Sequence, residues 1–219
     1  MSKLNSAIRD LPIPDRMRSR PVSSTGYPIP WFVAWVNGEP DFRIVDTPKV
    51  GRAVRGDLCW LCGQTLGRFK AFVIGPMCAV NRVSSEPPSH RDCAEYAVKA
   101  CPFLTKPKMR RNDKDVPEAA REPGGVMIRR NPGVALVWIT KTYKLFRTSN
   151  GTLINIGPPD HLMFYAEGRR ATRDEVMASI ETGLPALREV AEQQGLDSIV
   201  ALDHQVRTAM MLVNTALAA

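Results

Sequence analysis

The chain has 219 residues and a formal net charge of +8, with 44% hydrophobic and 24% charged side chains. That length supports one sizeable core or two small domains, and no apolar run approaches the roughly 20 residues of a membrane-crossing helix. The first residues hold charges and prolines but no apolar core of a secretory signal, so a cytoplasmic location is expected, with no membrane partner. In a reduced compartment the five cysteines favour metal binding over disulfides.

The charge is uneven. Residues 171–219 carry three basic and seven acidic side chains, so the chain before them sums to +12. Such asymmetry marks either a polyanion-binding face or ordinary solvated loops.

Residues 1–28, with four prolines and few large apolar side chains, read as a flexible, weakly basic arm. Order is expected from Trp31. Residues 31–46 form a predicted hairpin about Asn37-Gly38. Thr47-Pro48 opens a short helix that Gly56 stops, and the chain then reaches Cys59. The arm is followed by a unit spanning residues 29–104.

Cys59 and Cys62 stand in a Cys-x-x-Cys turn with Gly63 directly after, a backbone suited to a tight knuckle. His90 and Cys93 follow Pro87-Pro88-Ser89, and Ser89 as an N-cap would place both in the first turn of a helix, on one face. Zinc takes four such donors at tetrahedral corners, so Cys59, Cys62, His90 and Cys93 are the expected Zn2+ ligands. Cys78 is the alternative to His90. Between the pairs, residues 69–74 and Val80 with Val83 read as the arms of a hairpin that bends at Gly75-Pro76.

Knuckle, hairpin and a helix bearing the last two ligands resemble the treble-clef zinc fingers over residues 57–104. Many treble clefs belong to HNH-type nucleases, which carry a catalytic histidine in the hairpin. Here no histidine lies between Gly63 and Ser89, and Asp160-His161 is far downstream, so the resemblance does not extend to catalysis. Four protein ligands also leave no open position for a reactive water. The rest of the chain has the look of a small bacterial or phage protein, which names no activity.

Residues 105–124 read as an exposed connector. In the last unit, residues 125–219, strand-like runs occupy 126–130, 134–140, 142–148, 152–157 and 162–166. The run at 134–140 is apolar throughout, as a central strand covered on both faces would be. Asn150-Gly151 signals a hairpin. Thr172-x-x-Glu175 is a capping box opening the first of three predicted helices, with Gly183 and Pro185 breaking the first from the second. The third carries Ile199, Leu202, Val206, Ala209, Val213 and Ala216 at spacings of three and four, a stripe for the sheet or for a second copy. The expected class is α+β: an amino-terminal hairpin and zinc module, an antiparallel sheet and carboxy-terminal helices.

Two functions are compatible with these features. Lys106, Lys108, Arg110, Arg111, Arg129 and Arg130, with Lys141, Tyr143 and Lys144, would suit nucleic acid, DNA or RNA. The alternative is a protein-binding adaptor or inhibitor that uses the carboxy-terminal helices. A nuclease-like enzyme ranks behind both.

Overall fold

The computed structural model describes residues 4–107, 109–112, 114, 116, 131–148 and 151–218. Asn37 and Gly38 both take positive φ, 51° and 84°, as a type I′ turn requires. They join β1 (Val33–Val36) to β2 (Glu39–Val45) in the expected hairpin. Helix α1 (Thr47–Gly56) follows, with Asp46 rather than Thr47 at its N-cap. Gly56 is its last helical residue, and Asp57, at φ 48°, supplies the left-handed cap.

The segment expected to be a flexible arm is packed. Two 3-10 turns, Ser6–Ile8 and Asp15–Met17, bury Ile8 and Met17. These side chains join Cys59, Cys62, Cys93 and Tyr96 in one apolar cluster. Ordered contacts therefore begin well before Trp31, because a few isolated apolar residues find partners remote in sequence.

Strand β3 (Lys70–Ile74) is followed by the short helix α2 (Pro76–Asn81) and by β4 (Val83–Ser84). The hairpin expected to bend at Gly75 is thus replaced. β3 pairs with β5 (Ala135–Thr140), and β4 pairs elsewhere. Ala71 does form a bridge with Ser89, which brings β3 beside the chain that enters α3 (Arg91–Ala100). The small α4 (Pro102–Thr105) ends this part.

Two antiparallel sheets follow. One has the order β3-β5-β8-β9, with β8 at His161–Ala166 and β9 at Arg169–Arg170. The other has the order β4-β7-β6, with β6 at Tyr143–Thr148 and β7 at Gly151–Ile156. β5 is buried at all six positions, as its apolar run implies. Its Leu136 and Trp138 face the main core, and its Ala135, Val137 and Ile139 face α3. The predicted strand at 126–130 and the turn residues 149 and 150 lie outside the described residues, as does most of the expected connector.

Three predicted carboxy-terminal helices are two in the structure: α5 (Arg173–Gln194) and α6 (Leu196–Ala218). The capping box is present: Thr172 Oγ1 accepts from Glu175 N, and the Glu175 carboxylate accepts from Thr172 N at 2.8 Å. α5 runs through Gly183 and Pro185. Gly183 is buried where a Cβ would come within 2.7 Å of Met77 Cγ, so its small size serves the contact with α2 rather than a break. On α6, Leu202, Ala209 and Val213 are buried with α5, α2 and the sheet. The apolar stripe read in the sequence is an inward one.

Candidate metal centre

The knuckle is built by backbone bonds within residues 57–66. Cys59 N donates to Gln64 O at 2.8 Å, Gly63 N to Cys59 O at 2.8 Å, and Leu66 N to Asp57 O at 2.7 Å. Gly63 has φ 81°, a left-handed conformation that disfavours a side chain. It also lies under an aromatic ring: a Cβ there would be 2.6 Å from Trp31 Cδ1. Trp31 N in turn donates to Leu61 O at 2.8 Å, and Trp60 N to Pro88 O at 3.0 Å. The hairpin, the knuckle and the approach to α3 are thereby tied together.

His90 is the N-cap of α3, one residue later than the N-cap expected at Ser89, and Cys93 stands in the first turn. The ligand atoms of Cys59, Cys62, His90 and Cys93 all lie within 4.8 Å of one another. Exposures are 0%, 6%, 9% and 0%, so water has little access. This buried Cys3His group can hold a metal ion. Among the described residues it is the one group of three or more His, Cys, Asp and Glu side chains close enough to do so.

The surroundings suit thiolate ligands. Cys62 N and His90 N each donate to Cys59 Sγ at 3.4 Å. His90 Nδ1 is 3.4 Å from Cys62 Sγ, and its Nε2 is 3.0 Å from the carbonyl oxygen of Thr65. An N–H donated from Nε2 to that carbonyl leaves Nδ1 as the free donor atom pointing at the sulfurs. The three sulfurs compete for negative charge. Cys62 and Cys93, as donors, hold Cys59 far below the usual thiol range. Donating a hydrogen bond to Cys59 pushes Cys62 up to about 11, and donating to both other sulfurs pushes Cys93 higher still. Three ionised sulfurs at this spacing are stable only around a cation. The amino end of α3 adds a favourable dipole for a thiolate at Cys93.

The amino-terminal segment closes over the centre. Arg16 pairs with Asp92 at 2.9 Å, and Gln64 Nε2 donates to Arg16 O at 3.5 Å. The Arg20 side chain is partly buried, donates to Ile29 O at 2.9 Å, and feels the charge of Cys62. Burial pushes its guanidinium down, and Cys62 opposes that. None of these contacts was readable from spacing, because they come from a segment with no periodic pattern.

The remaining candidates fall elsewhere. Cys78 packs against the main core, outside the metal cluster, and burial pushes its thiol up to about 11. Cys101 caps the start of α4. Asp160 pairs with Lys141, and His161 is an exposed residue at the start of β8. Lys106 and Arg110 are exposed, whereas Arg111 Nη2 donates to Arg43 O at 2.9 Å and is half-buried. Lys108, Arg129 and Arg130 lie outside the described residues. Lys141 lies 5.4 Å from the Phe69 ring centre, Lys144 is exposed, and Tyr143 sets its half-buried ring edge-on to Phe72.

Fold and centre together define an α+β protein with a buried Cys3His group that could hold a metal ion. Comparison with protein families, with curated proteins and with solved structures finds no match. Among the described residues no helix is long and apolar enough to cross a membrane.

Proposed function

We propose that this is a zinc-stabilised binding protein: one structural Zn2+ clasps the knuckle to the start of α3, and the basic surface of the chain contacts nucleic acid. The observation that carries the metal reading is the spacing and burial of the four donors. A tetrahedral zinc with sulfur at about 2.3 Å and nitrogen at about 2.0 Å has an S–N edge of about 3.5 Å. The 3.4 Å between Cys62 Sγ and His90 Nδ1 agrees. Four protein donors close the shell, so the ion's contribution is folding energy rather than chemistry. Knuckle, Ala71–Ser89 bridge and ligand-bearing α3 follow the treble-clef order, with α2 and β4 inserted between the bridge arms.

The nucleic-acid reading is supported by Lys106 and Arg110 and by β6, where Lys144, Phe146 and Arg147 are all exposed on an edge strand. Lys144 shares a face of the strand with Phe146, so phosphate pairing and base stacking are offered together there, and Arg147 extends the basic surface on the other face. The test is retention of the full chain on single-stranded nucleic acid as salt rises from about 50 to about 200 mM. Replacing Lys144 and Arg147 with alanine should reduce the log–log salt slope by up to about 1.4 if both meet phosphates. No binding at low salt, or an unchanged slope, removes this reading and leaves the metal assignment standing.

A further inference from the structure

Among the described residues, the three most exposed large hydrophobic side chains are all on the outside of α6. Leu196, Met211 and Val200 are 74%, 64% and 60% exposed, more than any other large hydrophobic side chain described. At 3.6 residues per turn they fall within about 60° of one another, so they share one side of the helix, with Asp203 and Arg207 between Val200 and Met211. The opposite side of the helix is already used, with Leu202, Ala209 and Val213 in the core. The inner side is covered by the core, whereas the apolar residues of the outer side have no cover among the described residues.

The charge pattern selects the occupant. We infer that the outer side of α6 pairs antiparallel with the same side of a second copy of the chain, about a two-fold axis between Asp203 and His204. In that register Leu196 meets the second copy's Met211. Val200 meets the aliphatic stem of its Arg207, and Asp203 meets its His204. Apolar ends coincide and unlike polar groups coincide at the centre, the self-complementarity that an isologous contact requires. Arg188 lies 3.7 Å from Asp203 within the same copy and holds that carboxylate near the axis. A contact centred on one helix pair falls near the lower bound of stable interfaces, about 1,200 Å2, so the dimer is reversible and concentration-dependent.

Sedimentation velocity of the intact protein across the micromolar range tests this. The expected weight-average mass rises from 24.3 kDa toward twice that value. Met211→Glu, at an exposed position, should weaken association at least tenfold with an unchanged circular dichroism spectrum. Cross-linking fixes the geometry. Leu196→Cys and Met211→Cys proteins, mixed and oxidised, should form a mixed disulfide dimer. Neither should cross-link with itself beyond the wild-type background, since 15 residues of helix separate like positions by about 22 Å. A monomer at every concentration, a dimer that Met211→Glu leaves intact, or self-cross-linking of Leu196→Cys would each overturn the proposal.

Discussion

Gly63→Ala is the sharpest test of how the knuckle is built. Alanine must take φ 81°, which costs about 1–2 kcal/mol in the left-handed region. Its Cβ must also displace the Trp31 ring, whose Cδ1 and Cγ would stand 2.6 and 2.7 Å away. That ring is confined. Its edge meets Trp60 at 6.4 Å between centres, and Lys49 and Arg52 lie over it at 5.8 and 5.5 Å. Overpacking of this kind costs about 1–3 kcal/mol, so the total is about 2–5 kcal/mol. Urea denaturation followed by far-ultraviolet circular dichroism measures it. The double variant Gly63→Ala/Trp31→Ala removes the clash and keeps the backbone cost, so the pair should couple by about 1–3 kcal/mol. A loss below about 1 kcal/mol, or strict additivity in the double variant, refutes the reasoning.

Pro185→Ala should stabilise the protein by up to about 3 kcal/mol, because it restores a helical N–H inside α5; a fall in melting temperature would count against this. Thr172→Ala should cost about 1 kcal/mol through loss of the N-cap bond, read as a lower denaturation midpoint. Glu175 is held at about 2 by Arg169 and by the Thr172 N–H. A carboxyl whose folded value lies below its ordinary 4.5 stabilises the fold above that pH and loses the contribution as pH falls toward 2. Glu175→Gln should therefore flatten the acid limb of the stability profile, modestly because the pair is exposed and screened; an unaltered limb would show that the pair contributes nothing.

Much of the fold is legible in the residues where local chemistry and long-range packing agree. Asn37-Gly38 can hardly be anything but a hairpin turn, and Ala135–Thr140 is apolar at five of six positions because both its faces are covered. The Cys3His quartet is legible because a Cys-x-x-Cys knuckle and a His–Cys pair three apart on a helix are each local patterns. Elsewhere the deciding contact is remote. Gly183 reads as a breaker until Met77 is seen against it, and the long α5 then outweighs its own proline. Ile8 and Met17 are too sparse to signal order, yet they pack against Cys59 and Cys93. Val83 carries the alternation of a hairpin arm, but β7 offers it a pairing partner, and β3 is paired with β5 on one edge and bridged to Ser89 on the other. Arg111, chosen as a phosphate contact, is drawn inward by the carbonyl of Arg43.

Elemental analysis of the chain purified without added metal bears most directly on the central claim, that the four buried donors share one ion. One zinc per chain is expected in the wild type, with near-complete loss and reduced stability in Cys59→Ser and Cys93→Ser, since ion binding here is part of folding. A metal-free wild type that is stably folded, or full zinc content in both serine variants, would contradict it.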